Sequence, residues 1–193
     1  MIRFALFGAG RIGKMHADNI AAHTNAELLY VYDVYQPAAT ETAAKHKAQV
    51  AQSVEQALND PQVNAVLIAT STDTHVDLII QAAKAGKAIL CEKPIDLDTS
   101  IVERCWEQIK DCDVPIQIGF NRRFDPSHNE LRDAVANGEV GALEQLVITS
   151  RDPGLAPLEY LKVSGGIFRD MLIHDFDIAR FILNEEPTEI HVI

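Results

Sequence analysis

The stretch FALFGAGRIGKMH, from Phe4 to His16, comes at the end of an apolar run and places Gly8, Gly10 and Gly13 within six residues. A glycine gives up more backbone freedom on folding than any other residue, so three at this spacing mark a place where side chains are not tolerated. The preceding IRFALF (2–7) reads as a buried strand, and Ile12, Met15 and Ile20 recur as they would along one face of a helix. AELLYVYD (26–33) reads as a second strand, which makes the first thirty-odd residues a βαβ unit. In that setting Gly8 permits the tight turn off the strand and Gly10 lets a ligand approach the backbone. Gly13 lets the helix pack close, and the N–H groups at the helix start, around Arg11 and Ile12, point at an anion.

The same alternation continues. SVEQALND (53–60) opens with Ser53 and carries Gln56 three residues on, a capping-box start, and AVLIAT (65–70) follows as a strand. HVDLIIQAAKAG predicts a helix stopped by Gly86, AILCEK a strand, TSIVERCWEQIKD a helix and PIQIGF a strand. Strands separated by helices form a parallel sheet covered on both faces, so the fold class is α/β, a doubly wound Rossmann sheet over residues 1–120. Beyond it the rhythm changes. DPSHNELRDAVANG predicts a helix ending at Gly138, ALEQLVITSRD a long alternating strand, and GGIFRDMLIHDFDIARFIL one long amphipathic helix. Residues 121–193 therefore read as the start of a second, α+β domain.

Charge and cysteine usage narrow the partners. Seventeen basic against twenty-eight acidic side chains give a formal net charge of −11, which repels nucleic acid. Cys91, Cys105 and Cys112 form neither a disulfide framework nor a CxxC metal pair. No apolar run approaches the ~20 residues of a membrane span, and the N-terminus shows no basic leader with an apolar stretch behind it. The expectation is a cytoplasmic protein with reduced thiols, no nucleic-acid or membrane partner, and a small molecule as ligand.

Four clusters carry chemistry. The glycines, with Asp33 twenty residues beyond Gly13 at the end of the second strand, fit a dinucleotide whose adenosine ribose offers two hydroxyls to the acid. An acid there repels a 2′-phosphate, and no arginine follows in VYQPAA, so NAD is favoured over NADP. ATSTDTH (69–75) closes a strand at the edge where open sheets bind ligands; Thr70, Ser71 and Thr72 line the cofactor path, cap the next helix, or both, and His75 lies on the cofactor path or on the helix surface. CEKP (91–94) puts Glu92 and Lys93 at the same edge, where a lysine polarises a substrate oxygen or simply meets water. In FRDMLIHDFD, Asp170, His174 and Asp177 fall on one helix face, an arrangement suited either to proton transfer or to a salt-linked structural histidine.

Taken together, GAGRIG, Asp33, ATSTDTH, AGKAILCEKPIDLD, QIGFNRRFDPSH and SGGIFRDMLIHDFDIARF resemble the glucose–fructose oxidoreductase, inositol dehydrogenase and MocA family. The resemblance covers essentially the whole chain. GFNRRFDPSHNELRDAVANGEVG and the spacing GGxxxDxxxHxxD look most like its inositol 2-dehydrogenase branch. It implies a Rossmann domain followed by an antiparallel sheet that packs subunits into dimers or tetramers. It also implies Lys93, Asp170 and His174 as the catalytic set. Asn121, Arg122 and Asp177 become substrate-facing residues, with Arg123 as a loop anchor, and Glu92, Lys93 and His75 join the cofactor site. Asn121 stands where some relatives are expected to carry methionine, which bears on the choice of polyol. The implied reaction is NAD-dependent oxidation of a cyclic polyol, myo-inositol first. Another inositol isomer, a sugar, or a non-catalytic dinucleotide-binding regulator of the same fold are the alternatives. Family members are longer, so the resemblance also predicts that these 193 residues are the N-terminal part of a longer enzyme whose antiparallel sheet is cut short.

Overall fold

The computed structural model describes residues 1–192. The chain forms two compact units, one of residues 1–119 and one from Phe120 onward, and each is described by itself.

The first unit is built on six parallel strands in the order β3-β2-β1-β4-β5-β6. These are β1 (Ile2–Phe7), β2 (Ala26–Tyr32), β3 (Gln49–Val50), β4 (Ala65–Ile68), β5 (Ala88–Cys91) and β6 (Ile116–Ile118). Between them run α1 (Arg11–Ala22), α2 (Gln36–His46), α3 (Val54–Asn59), α4 (His75–Lys84) and α5 (Thr99–Ile109). Because side chains alternate across a strand, neighbouring residues feed opposite layers. Phe7 and Ile68 join Leu58, Ile79 and Ile109 of α3, α4 and α5 on one face. Leu6 and Leu67 join Ala17, Ile20, Ala39 and Ala43 of α1 and α2 on the other. All four residues of β4 are buried, which explains why AVLI is an unbroken apolar run rather than an alternating one.

The helix boundaries follow the local chemistry. Ser53 accepts the Gln56 N–H at 3.1 Å, while the Gln56 side chain reaches back to the Gln52 N–H at 2.7 Å, one residue before the position a standard capping box uses. Gly86 takes a left-handed conformation (φ +70°) just after α4. The doubly wound parallel sheet is the expected architecture; α2 and the two-residue β3 are additions, too small or too alanine-rich to stand out in the sequence pattern.

In the second unit a 3₁₀ turn (Asn121–Phe124) precedes α6 (Pro126–Ala136), followed by α7 (Leu158–Leu161), α8 (Gly166–Asp170) and α9 (Leu172–Leu183). Asp125 caps α6 by accepting the Ser127 and His128 N–H groups at 3.0 and 3.2 Å, and Pro126 occupies the first turn, where its missing N–H costs nothing. Two expectations are corrected here. ALEQLVITSRD has irregular backbone, and no strand forms among the described residues of this unit. Alternation alone does not make a strand, because the ladder needs a hydrogen-bonded neighbour. Residues 188–192 of the second candidate strand, TEIHVI, are likewise irregular, and Ile193 lies outside the described residues. The single long helix is two: at Met171 (φ −99°, ψ −57°) the ladder tightens, with the His174 N–H donating to the Met171 carbonyl three residues back at 3.2 Å. Asp170 therefore ends α8 while His174 and Asp177 lie in α9, so the three do not share one continuous helix face.

Among the described residues no helix is long and apolar enough to cross a membrane.

Candidate cofactor and catalytic residues

In the first unit the ends of the strands gather the glycines, Asp33, Thr70, Ser71, Glu92 and Lys93 at one edge of the sheet, the carboxyl edge, where open α/β sheets bind ligands. The order of strands reverses between β1 and β4. An open cavity of about 500 Å³ lies at this edge, lined by Gly8, Gly10, Asp33, Thr70, Ser71 and Thr74 with Val34, Val54 and Leu78 as an apolar flank.

The three glycines have separate physical reasons. Gly8 sits at φ +93°, and a Cβ there would stand 2.4 Å from the Ala69 carbonyl oxygen. A Cβ on Gly13 would stand 1.9 Å from the Gly8 carbonyl oxygen, so α1 can approach the strand end only without one. At Gly10 nothing lies within 4 Å of that position, which leaves open space against the backbone at the head of α1. Arg11, exposed, and Ile12, half-buried, form the first turn of that helix.

Asp33 is tied into the same loop. Its Oδ2 accepts the Ala9 N–H at 2.6 Å and its Oδ1 the Tyr35 N–H at 2.7 Å. A carboxylate has about four lone-pair sites, so these two bonds leave acceptor capacity for a ribose diol. The acid thus fixes the glycine turn as well as presenting its oxygens at the cavity. An open backbone at Gly10, an acid at the end of β2 and a cavity of this volume at the switch point fit a dinucleotide.

The hydroxyl cluster lies along the cavity, but the expected capping is corrected: neither Ser71, ahead of the 3₁₀ turn, nor Thr74, ahead of α4, accepts a helix N–H through its side chain. Thr70 and Ser71 line the cavity, and the Thr74 hydroxyl bonds the Thr70 hydroxyl at 2.6 Å and the Ser71 carbonyl at 2.8 Å. Thr72 begins the 3₁₀ turn Thr72–Thr74. His75 is neither on the helix surface nor open to the cavity: it is buried, with Nδ1 2.8 Å from the Pro94 carbonyl oxygen and Nε2 3.1 Å from that of Thr70. As the first residue of α4 it faces back onto the sheet edge, so both ring nitrogens meet backbone.

Just past β5, the Glu92 carboxylate meets His16 Nε2 at 2.6 Å, and the Lys93–Pro94 peptide is cis. Burial works to raise the Glu92 carboxyl. The hydrogen bond and charge of His16, with the Lys93 N–H and ammonium, outweigh it and hold the group below the usual carboxylate range. Gly119 packs on this carboxylate, since a Cβ there would stand 3.1 Å from Glu92 Oε2. Cys91, fully buried beside it, is pushed well above the ordinary thiol range by burial and then by the Glu92 charge, so it remains a thiol.

In the second unit Arg122 donates to Asp175 and, at 3.4 Å, to the Ser150 hydroxyl, which itself donates to Asp175 at 2.6 Å. Arg123 forms a two-pronged pair with Asp177, at 2.8 and 2.6 Å, and its guanidinium lies over the Phe181 ring, 5.3 Å from the centroid. Asp177 is 6% exposed, so both its oxygens are occupied in anchoring Arg123 rather than facing a ligand. Asn121 is exposed at the head of the 3₁₀ turn, Asp170 accepts the Tyr160 hydroxyl at 2.7 Å, and His174 is half-buried in the first turn of α9. Two participants escaped the sequence reading. His16 carries the available signal of a histidine one helical turn beyond Gly13; Asp175 carries none, standing between two residues that were noticed.

A family model described as the oxidoreductase family, NAD-binding Rossmann fold, matches residues 2–120. The chain belongs to the GFO/IDH/MocA oxidoreductase family. The family's C-terminal-domain model matches residues 128–193. Among curated relatives, an inositol 2-dehydrogenase of Rhizobium meliloti is 48% identical and a myo-inositol 2-dehydrogenase of Thermotoga maritima 45% identical, each over 98% of this chain. The chain spans 57% of the length of both. Among solved structures, a myo-inositol dehydrogenase from Corynebacterium glutamicum superimposes with a TM-score of 0.89 at 49% identity, covering 94% of this chain and 55% of that one. A scyllo-inositol dehydrogenase from Lactobacillus casei, solved with NAD(H) and scyllo-inositol, gives 0.83 at 30% identity, covering 94% and 56%. This GFO/IDH/MocA chain therefore carries the family's NAD-binding Rossmann domain.

Proposed function

We propose that the protein takes part in NAD-dependent oxidation of a cyclic polyol, with myo-inositol as the first substrate to try. The observation that carries this reading is the 48% identity, over nearly the whole chain, to a protein named inositol 2-dehydrogenase. The local chemistry supports it, because Lys93 stands at the same sheet edge as the cavity lined by Gly8, Gly10 and Asp33.

When bound, the nicotinamide supplies the acceptor for the hydride that leaves the carbinol carbon. Gly10 and the first turn of α1 hold the pyrophosphate, and Asp33 takes the ribose hydroxyls while keeping the glycine turn in place. Lys93 polarises the substrate oxygen as a compact point charge. His174 accepts the hydroxyl proton as the C–O bond becomes a carbonyl, and Asp170, steadied by the Tyr160 hydroxyl, positions substrate and histidine. Asn121 and Arg122 bear on the ring hydroxyls, with Asp175 and Ser150 fixing the guanidinium and Asp177 holding Arg123 beside it.

A screen of myo-inositol, other inositol isomers and aldoses with NAD, followed by absorbance of the reduced cofactor, tests the reading. Oxidation of at least one cyclic polyol is expected, and failure with all of them removes the proposal. Asp33 gives a second test. NAD should be used at least tenfold more efficiently than NADP, and Asp33→Ala should narrow that gap and weaken NAD binding, since the Ala9 N–H loses its acceptor. Equal use of both cofactors by the native protein would remove the role given to Asp33.

A further inference from the structure

The turn Glu92–Lys93–Pro94 is gripped from both sides by histidines that belong to other elements. His16, from α1, holds the Glu92 carboxylate at 2.6 Å across 76 residues of chain. His75, from the start of α4, meets the turn with Nδ1 2.8 Å from the Pro94 carbonyl oxygen and has Nε2 3.1 Å from that of Thr70; a neutral imidazole, with one N–H, donates to one of these two carbonyls at a time. Lys93 lies between the two grips. Backbone bonds hold the turn's root: the Glu92 N–H donates to the Ile68 carbonyl at 2.9 Å, and the Gly119 N–H to that of Cys91 at 2.7 Å. Past this root the Cys91 thiol donates to the Glu92 carbonyl at 3.3 Å and Ile95 packs against the core, and the two histidines reach the turn from other elements.

The origin of each grip matters. His16 is on the helix whose first turn follows Gly10, and His75 closes the hydroxyl loop whose Thr70 and Ser71 line the cavity. Both dinucleotide-facing loops are therefore connected, each by one imidazole, to the turn that carries the lysine. We propose that His16 is a positioning residue, which acts through Glu92, with His75 as the opposing grip, to fix Lys93 relative to the dinucleotide loops. This rests on the reading of Lys93 as the residue that polarises the substrate oxygen. A hydrogen bond of this kind is short, half-screened from water at 17% and 22% side-chain exposure, and joins groups of complementary character. Its loss frees a turn in which displacement by 1 Å costs about a hundredfold in rate.

Two measurements on the full chain test this. In His16→Ala, backbone hydrogen exchange at Glu92, Lys93 and Ile95 should quicken about tenfold or more, while β1, β4 and the NAD dissociation constant stay within about twofold of native. In the same variant kcat should fall tenfold to a hundredfold with little change in KM, and His16→Gln, whose amide can still donate to Glu92, should recover most of both losses. Glu92→Gln added to His16→Ala should cost little more than the single change, because the two act as one unit. Unchanged exchange at the turn, or quickening spread evenly over the sheet, would overturn the proposal. If the native protein oxidises no polyol but the exchange result holds, the grip stands and the polyol reading falls.

Discussion

Replacing His174 by alanine should lower kcat for polyol oxidation by a hundredfold or more, and Lys93→Ala should do the same, while NAD affinity changes by less than about threefold. General acid–base catalysis by a placed side chain contributes typically 10²–10⁴-fold, and a hundredfold corresponds to about 2.7 kcal/mol of barrier. Under the proposed mechanism Lys93 draws the electrons of the substrate oxygen and His174 takes its proton, so the double variant should be far less than multiplicatively worse. Lys93→Arg separates charge from shape: the guanidinium stays positive but spreads its charge over a planar fork, so it should recover only part of the loss. Asp170→Asn keeps an acceptor for the Tyr160 hydroxyl and removes the negative charge that the proposed mechanism uses to position substrate and histidine, so it should reduce kcat more than stability. Steady-state rates with NAD titrated separately decide the matter. Near-normal turnover in His174→Ala or Lys93→Ala would make these residues structural.

The parts legible in the sequence are those fixed by short-range geometry. Gly8 and Gly13 announce a turn that no other residue can make and Gly10 an open approach to the backbone, while AVLI announces a strand in a sheet covered on both faces. Asp33 was readable as an acid at the right distance, but its bond to the Ala9 N–H was not, since that depends on how closely β2 runs beside β1. His75 shows the limit most clearly: its spacing places it on a helix, and only the fold turns it inward onto two carbonyls contributed by residues 5 and 19 positions away. His16 and Glu92 are 76 residues apart, and no local pattern pairs them. ALEQLVITSRD failed for the opposite reason, because alternation records which residues would share a face and says nothing about whether a neighbouring strand exists. The break at Met171 escaped as well, since no glycine or proline marks it and the apolar spacing runs straight through.

The glycines give the sharpest separation between folding and binding. Gly13→Ala would put a methyl group 1.9 Å from the Gly8 carbonyl oxygen, a backbone atom that cannot swing aside, so α1 must move off the strand end. Overpacking of this kind costs typically 1–3 kcal/mol or more, so the variant should unfold at lower denaturant and lose NAD binding with it. Gly10→Ala is different. Its backbone, at φ −70° and ψ −167°, is one that alanine adopts readily, and nothing lies within 4 Å of the new methyl group. Its folding stability should stay within about 0.5 kcal/mol of native. The same methyl group, however, occupies the space where the pyrophosphate must approach the backbone, so NAD affinity should fall at least tenfold. Denaturant unfolding and NAD titration on the two variants distinguish these outcomes. A Gly10→Ala protein that binds NAD normally would mean that the pyrophosphate does not pass over this residue, and the placement of the cofactor along the head of α1 would have to be abandoned.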